Sequence, residues 1–382
     1  MVRREILPYI RELRRQFPAV LILGPRQCGK TTLAKEFLTG EYFDLEKPSD
    51  RQVFEGDIEL AFRQLREPLI FDEAQTLPEL FPVLRALIDE KRKKNGRYIL
   101  LGSVNPALVR SISESLAGRV GIIELTPFLY REASKGRVSL ERFWLRGGYP
   151  DAVKQRKETA WQRWMENYVL TLVERDIPRQ GIRLPPLQLR RLLAMVAHCH
   201  GGLLNASDLG RSLGFSYHTV NEYLHLLEGH FLIRLLQPYY VNTKKRLVKA
   251  PKLYIRDSGL LHYLLGISTH RHLLEAPYRG RSWEGLLIQE LLAAEQIAGT
   301  GAQFFFYRTH AGAEIDLILD RKTDRIGFEF KCSFSVSPGD WNQLACAVRE
   351  GMIREGFLLY LGKREFSPAK GVFIKNALSF LK

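Results

Sequence analysis

The sequence predicts an α/β protein, with a parallel-sheet phosphate-binding domain, a helical segment and then a second α/β domain. Three features carry that expectation. Gly24-Pro-Arg-Gln-Cys-Gly-Lys30-Thr31-Thr32 fits G-x-x-x-x-G-K-[ST], the phosphate-binding P-loop. The apolar run Pro68-Leu-Ile-Phe-Asp72-Glu73 ends in two carboxylates, 42 residues after Lys30. Much later, Ile326-Gly-Phe-Glu329-Phe-Lys331 alternates apolar with charged residues, next to an apolar run that carries Asp316.

Taken in order, Ala19-Val-Leu-Ile-Leu23 reads as a buried parallel strand, and Thr31 to Leu38 has helical spacing with no breaker. A loop between such elements aims several backbone N–H groups at one point, at the positive end of a helix dipole. Gly24, Pro25, Arg26, Gln27, Cys28, Gly29, Lys30, Thr31 and Thr32 are therefore the candidate nucleotide site, with ATP and Mg²⁺ as the expected cofactors. Lys30 supplies a point charge for the β- and γ-phosphates and Thr31 a hydroxyl for the metal. Tyr42-Phe-Asp-Leu45 is a short second strand. Asp72 would hold Mg²⁺ and Glu73 would polarise the attacking water, the Walker B pattern. Arg97-Tyr-Ile-Leu-Leu101 is a further core strand, followed by Gly102-Ser103-Val-Asn105. Asn105 or Ser103 is placed to sense the γ-phosphate, although Gly, Ser and Asn-Pro are also turn formers. Arg119 precedes the strand Val120-Gly-Ile-Ile-Glu-Leu125. It is either an exposed arginine at a helix end or a finger reaching the nucleotide of a second copy, which would make the protein a homo-oligomer.

Trp161 to Ile177 reads as one helix whose aromatic stripe suits a core better than a base-stacking platform. Pro185-Pro186 marks a boundary. Leu187 to His198, Asn205 to Leu213 and Ser216 to Leu227 are three helices, the last two joined by the turn Gly214-Phe215. Phe231 to Leu236 and Tyr239-Tyr-Val241 then form a hairpin, with Lys244, Lys245, Arg246 and Lys249 beyond it. Helices plus a basic hairpin describe a winged helix, whose third helix would offer Tyr217, His218, Asn221 and Glu222 to a DNA groove. Such segments also serve protein contacts.

In the last part, Ser282 to Leu292 is an amphipathic helix carrying Glu284. Phe304 to Tyr307, Ala313 to Leu319 and Ile326 to Lys331 are strands. Strand alternation puts Glu329 and Lys331 on one face. Asp316 with this E-x-K pair is the arrangement of the PD-(D/E)XK nuclease fold. There Asp316 and Glu329 would bind Mg²⁺ and Lys331 would orient the water. Acidic–basic alternation is also common on half-exposed strands, and such folds survive as binding modules.

The chain has 382 residues, too many for one ordinary core, so two or three domains are expected. Its formal net charge of +15 favours a polyanionic partner, most simply DNA. No apolar run approaches a membrane span, and Met-Val-Arg-Arg-Glu lacks a signal-peptide stretch. Cys28, Cys199, Cys332 and Cys346 are scattered without C-x-x-C pairing, so a cytoplasmic location is expected. His198-Cys199-His200 is sequence-adjacent and makes no metal site without distant partners.

The series G-P-R-Q-C-G-K-T-T, L-I-F-D-E-A-Q, L-L-G-S-V-N, E-S-L-A-G-R, L-R-G-G-Y-P and V-E-R-D-I resembles a prokaryotic family of AAA+-like ATPases with a C-terminal DUF4143 domain. The likeness spans essentially the whole chain. It implies an AAA+-like core, a winged-helix segment and a nuclease-like C-terminal fold. It also implies that Arg119 holds the family's A-G-R position and that Gln343, in Trp341-Asn-Gln343, sits where related nucleases carry a glutamine. The expected division is an ATPase domain at 1–135, a helical linker at 136–184, a winged-helix segment at 185–255 and a nuclease-like domain at 256–382. The expected function is ATP hydrolysis coupled to a DNA-interacting C-terminal half with a metal-dependent nuclease site. The alternative is a nucleotide-dependent switch or assembly platform whose C-terminal parts only bind partners.

Overall fold

The structure, a computed structural model, describes residues 2–102, 115–178, 184–240, 248–322 and 324–381. These form two compact units, Met1–Phe128 with Gly229–Phe231, and Leu129–Glu228 with Leu232–Lys382. The candidate sensor residues Ser103 and Asn105, and the basic residues Lys244, Lys245 and Arg246, lie outside the described residues.

The first unit is built on five parallel strands: β1 (Ala19–Leu23), β2 (Glu41–Asp44), β3 (Leu69–Asp72), β4 (Tyr98–Gly102) and β5 (Val120–Glu124). Their order in the sheet is β2-β3-β4-β1-β5. β1, β3 and β4 are apolar almost throughout and buried at every position, as a parallel sheet covered on both faces requires. One face packs Phe43, Phe54, Phe62 and Phe71, with ring centroids 5.1–5.9 Å apart. The helix Leu80–Glu90 adds Leu80, Phe81, Leu84, Leu87 and Ile88 to that core. A helix that the sequence pattern does not announce, Leu7–Gln16, buries Leu7, Ile10 and Leu13. All five expected strands occur within two residues of their predicted limits.

The second unit begins with helices. Glu158–Thr171 runs on through a π-helical turn at Leu172–Asp176, close to the single helix expected there. Its aromatic stripe is core: Trp161 is fully buried, Trp164 stacks on Tyr168 at 5.2 Å, and the Tyr168 hydroxyl donates to that of Tyr149 at 2.7 Å. The 136–184 stretch does not stand apart as a linker. Its Tyr149, Met165 and Val169 share one core with Leu189, Leu193, Val220 and Leu224 of the helices that follow.

Those helices are Pro186–His198, Ala206–Leu213 and Tyr217–Gly229, with the short strand β6 (Gly202–Leu203) after the first. Asn205 caps the second by accepting from Asp208 N–H. Two strands follow, β7 (Ile233–Pro238) and β8 (Lys252–Ile255), paired antiparallel. The hairpin thus pairs Ile233–Leu236 with Lys252–Ile255; of the expected strand Tyr239-Tyr-Val241, Tyr239 bonds to Phe306 instead, and Val241 lies outside the described residues. Local apolar content marks a strand but says nothing about which strand it meets.

The C-terminal strands are β9 (Gln303–Arg308), β10 (Glu314–Asp320), β11 (Arg325–Lys331), β12 (Glu355–Tyr360), β13 (Phe366–Ala369) and β14 (Val372–Asn376). The strands of this unit form one mixed sheet, ordered β13-β14-β12-β11-β10-β9-β7-β8-β6. The join is a parallel pairing of Gln237 and Pro238 with Phe305 and Phe306. Strands of the two expected C-terminal domains therefore share a single hydrogen-bonded sheet.

One contact in this unit links two distant motifs. Asp257 caps the helix Ser258–Leu264, accepting from Leu260 N–H at 2.8 Å and from Gly148 N–H at 2.8 Å. Burial pushes the Asp257 carboxyl up to about 6 against the pull of these backbone donors. Gly147 has φ 75° and lies so close that a Cβ there would stand 2.1 Å from Asp257 Oδ1. Gly147→Ala should therefore destabilise the unit by about 3 kcal/mol through left-handed strain and overlap together. A urea titration would read this as a lower midpoint at unchanged slope; an unchanged midpoint would show that the clamp is dispensable.

Candidate functional site

Parallel alignment puts the carboxyl ends of β1, β3 and β4 on one sheet edge, where ligands of open α/β sheets bind. The loop 24–29 leaves β1 at that edge and Asp72 ends β3 there. Gly29 stands at φ 101°, a conformation only glycine adopts readily, and it opens the helix Lys30–Phe37. Gln27 also has positive φ, at 60°. The turn aims the helix N-terminus at the loop's interior, with Thr31 and Thr32 exposed and Cys28 buried. Burial pushes the Cys28 thiol up despite nearby Lys30 and Arg4, so it packs rather than reacts.

Lys30 Nζ donates to the carbonyls of Gly24 at 2.9 Å and Pro25 at 3.0 Å. Its ammonium is thus held inside the loop by groups that a phosphate can replace. The Thr31 hydroxyl donates to Asp72 Oδ2 at 2.5 Å, bringing the two expected Mg²⁺ ligands together. The Tyr42 hydroxyl donates to the same oxygen at 2.7 Å. Burial, and then the Asp72 carboxylate, hold the Tyr42 phenol above its ordinary range. A threonine hydroxyl and a carboxylate are hard oxygen donors, and this set fits Mg²⁺.

Glu73 occupies the left-handed region at φ 53°, ψ 46°, unusual for a non-glycine residue, and it follows β3 directly. Its N–H donates to Asp72 Oδ1 at 3.0 Å, and its carboxylate accepts from the Gln75 amide. Arg4 is a buried support that sequence reasoning misses. Its guanidinium donates to the Cys28 carbonyl at 3.1 Å and the Thr126 carbonyl at 2.6 Å, tying the loop to the chain beyond β5. Arg119 forms a two-pronged ion pair with Asp89, both bonds 2.8 Å. Arg26 reaches Glu46 at 3.4 Å.

In the second unit, Asp316 and Glu329 do come together, close enough for the Asp316 carboxylate to raise the Glu329 carboxyl after burial does. An irregularity between Ile315 and Ile318 breaks the β9–β10 register beside Asp316. Asp316 Oδ2 then accepts from Phe330 N–H at 3.0 Å, a donor of the neighbouring strand. Glu284, from the helix Arg279–Ile297, completes the group. Phe328 and Phe330 stack on the opposite face, as alternation predicts. Lys331 pairs with Asp340, 3.6 Å distant, at the start of the helix Pro338–Arg349, while staying near enough to act on Glu329; Gln343 on that helix is exposed.

The cation among these carboxylates is one the sequence does not flag. Lys252, from β8 and only 2% exposed, places Nζ 2.5 Å from Glu314, 3.1 Å from Glu284 and 3.7 Å from Asp316. Burial alone would drive such an ammonium to lose its proton. Glu284, Asp316 and Glu314 together outweigh burial and hold Lys252 charged. The Tyr254 hydroxyl donates to Glu284 at 2.5 Å, and Arg308 pairs with Glu314 at 3.2 Å. Burial, then Asp316, push Glu284 up to about 7 and Glu329 well above the usual carboxylate range.

Among the described residues, no group of three or more His, Cys, Asp or Glu is arranged to hold a metal ion. The histidines flanking Cys199 are engaged elsewhere: His200 accepts from Ile255 N–H, and His198 bonds the Tyr278 hydroxyl. No helix among the described residues is long and apolar enough to cross a membrane.

Comparisons with known proteins give the family. A family model described as an AAA domain matches residues 16–134. Two described as domains of unknown function, DUF8612 and DUF4143, match residues 137–271 and 279–379. An uncharacterized protein of Mycobacterium tuberculosis and one of Mycobacterium bovis are each 39% identical over 369 residues, covering 95% of this chain and 81% of theirs. Among solved structures, the Walker-type ATPase PABY2304 of Pyrococcus abyssi is 18% identical. That match covers 69% of this chain and 95% of that one, with a TM-score of 0.46.

Proposed function

We propose that this chain, which belongs to the family of AAA-domain proteins with a C-terminal DUF4143 domain, hydrolyses ATP to ADP and phosphate and couples that cycle to DNA contact by its C-terminal half. The observation that carries the ATPase reading is the meeting of Thr31 and Asp72 at 2.5 Å, beside Lys30 and Glu73. Lys30 would exchange the Gly24 and Pro25 carbonyls for β- and γ-phosphate oxygens. Mg²⁺, held by Thr31 and Asp72, would offset charge on the β- and γ-phosphates. Glu73, steadied by Gln75, would orient and polarise the attacking water. Arg119 would leave Asp89 to reach the γ-phosphate of a second copy. Asn105 or Ser103, which follow β4 in sequence and lie outside the described residues, would sense the γ-phosphate bound at the P-loop.

Lys30→Ala should abolish nucleotide binding by calorimetry, because it removes the charge that meets the phosphates. Glu73→Gln should keep ATP bound while phosphate release falls at least about 100-fold. Turnover at the wild-type rate in the Glu73 variant would remove that residue from the reaction.

For Arg119, the test is complementation. Mixing Arg119→Ala with Glu73→Gln protein should restore ATPase activity at interfaces that pair an intact site with an intact finger. Absence of rescue, with wild-type activity independent of concentration, would assign Arg119 a role within its own subunit.

Support for DNA contact comes from the net charge of +15 and from the element order helix, strand, helix, helix, strand, strand, read here as a winged helix. Tyr217 and His218 are exposed at the start of its third helix. Replacing Lys244, Lys245 and Arg246 with alanine should reduce the slope of log affinity against log salt by about 0.9 for each phosphate that is no longer neutralised. An unchanged slope would move the DNA site elsewhere. A wild-type ATPase indifferent to DNA would favour a nucleotide-driven assembly platform instead.

A further inference from the structure

The sequence predicts Mg²⁺ among the C-terminal carboxylates, and the residues present do not fit that ion. We propose that Lys252 is the resident cation of this cluster, standing where a divalent metal would be held, so that the site takes up no metal in the intact chain. The inference is independent of the ATPase reading.

The donor set is the first reason. Asp316 turns Oδ1 toward Lys252, while its Oδ2 accepts from Phe330 N–H. Glu284 Oε1 is shared by Lys252 and Tyr254. Glu314 lies between Lys252 and Arg308. Mg²⁺ requires near-octahedral oxygen ligands at about 2.1 Å and surrenders its water reluctantly. Here Glu284 Oε1, both Glu314 oxygens and Asp316 Oδ2 are already committed to Lys252, Arg308, a phenol and a backbone N–H, and Asp316 Oδ1 faces the ammonium.

Placement is the second reason. Lys252 belongs to the central pairing of the β6–β8–β7 strip, with backbone partners Leu203 and Leu236. Its ammonium lies under the Phe306 ring, 5.6 Å from the centroid. A divalent ion among these carboxylates would sit within a few ångströms of a buried ammonium that cannot swing into solvent while β8 stays paired. Lys331, the residue expected to serve a metal-activated water, pairs with Asp340. The cluster is therefore a folded ionic centre with its counter-ion built in, suited to holding strands rather than cutting a phosphodiester.

Mn²⁺ titration of the full chain without nucleotide tests this, read by calorimetry and by electron paramagnetic resonance of free Mn²⁺. Any weak binding at the P-loop is common to all the variants. Wild type and Asp316→Asn should give the same isotherm. Lys252→Gln should gain one Mn²⁺ bound at least about tenfold tighter than any in wild type, and Lys252→Gln with Asp316→Asn should lose it again. Lys252→Arg, which keeps the charge, should gain none. A Mn²⁺ bound by wild type and lost in Asp316→Asn would overturn the proposal. So would Mn²⁺-dependent strand scission with the same dependence, or a folded Lys252→Gln protein that gains no ion. Circular dichroism reports folding, and if Lys252→Gln does not fold, the comparison of wild type with Asp316→Asn decides alone.

Discussion

The parallel register of β1 with β4, and of β4 with β3, is the constraint on which the nucleotide edge depends. No residue of the P-loop is near Asp72 in sequence. They meet because each follows a strand whose backbone partners are fixed across β4. A slip of one residue would turn Asp72 to the other face of the sheet and separate it from Thr31. The buried aromatic cluster guards against such a slip, since it would pull Phe71 out of ring contact with Phe43, Phe54 and Phe62. The core thus supports the catalytic geometry through register as well as through stability.

Two ionic centres in this chain solve the problem of gathered charge differently. At the nucleotide edge the contacts are exchangeable. Lys30 rests on two carbonyls and Asp72 on two hydroxyls, all uncharged partners that phosphate and metal can outcompete. In the C-terminal cluster the partners are charged, buried and tethered. Removing one member there leaves an unpaired buried charge, which costs far more than loss of a hydrogen bond at a wet edge.

The nucleotide edge is legible in the sequence because its parts are local. Gly29, Lys30 and Thr31 are consecutive, and Asp72-Glu73 announces itself at the end of an apolar strand. What escapes are residues whose meaning lies in strand pairing. Tyr42 reaches Asp72 only because β2 lies beside β3, with Asp44 opposite Asp72. Arg4 reaches Cys28 from just before the helix Leu7–Gln16, and nothing local in the sequence ties that helix to the P-loop. The left-handed backbone at Glu73 has no residue signature, because glutamate rarely adopts it. In the second unit, alternation alone finds Asp316 and Glu329. It does not find Lys252, which lies in a strand assigned to a different domain, and no local rule joins β7 to β9.

That joint bears on how the C-terminal half works. Gln237 and Pro238 pair with Phe305 and Phe306, so β8, which carries Lys252, and β10, which carries Asp316, are ordered within one sheet and separated only by β7 and β9. Side chains from strands so far apart meet when the sheet twists and a long side chain bridges the gap, and lysine has the reach. The ionic contacts from Lys252 to Glu314 and Asp316 then act as a second set of ties across the same joint, beyond the two backbone pairings that make it. The β7–β9 pairing is short, so the ionic ties reinforce the sheet across a short stretch of its backbone ladder. Of the two carboxylates expected to bind a metal, Asp316 faces an ammonium tethered to β8, and that contact ties the β7–β8 hairpin to the strands beyond β9.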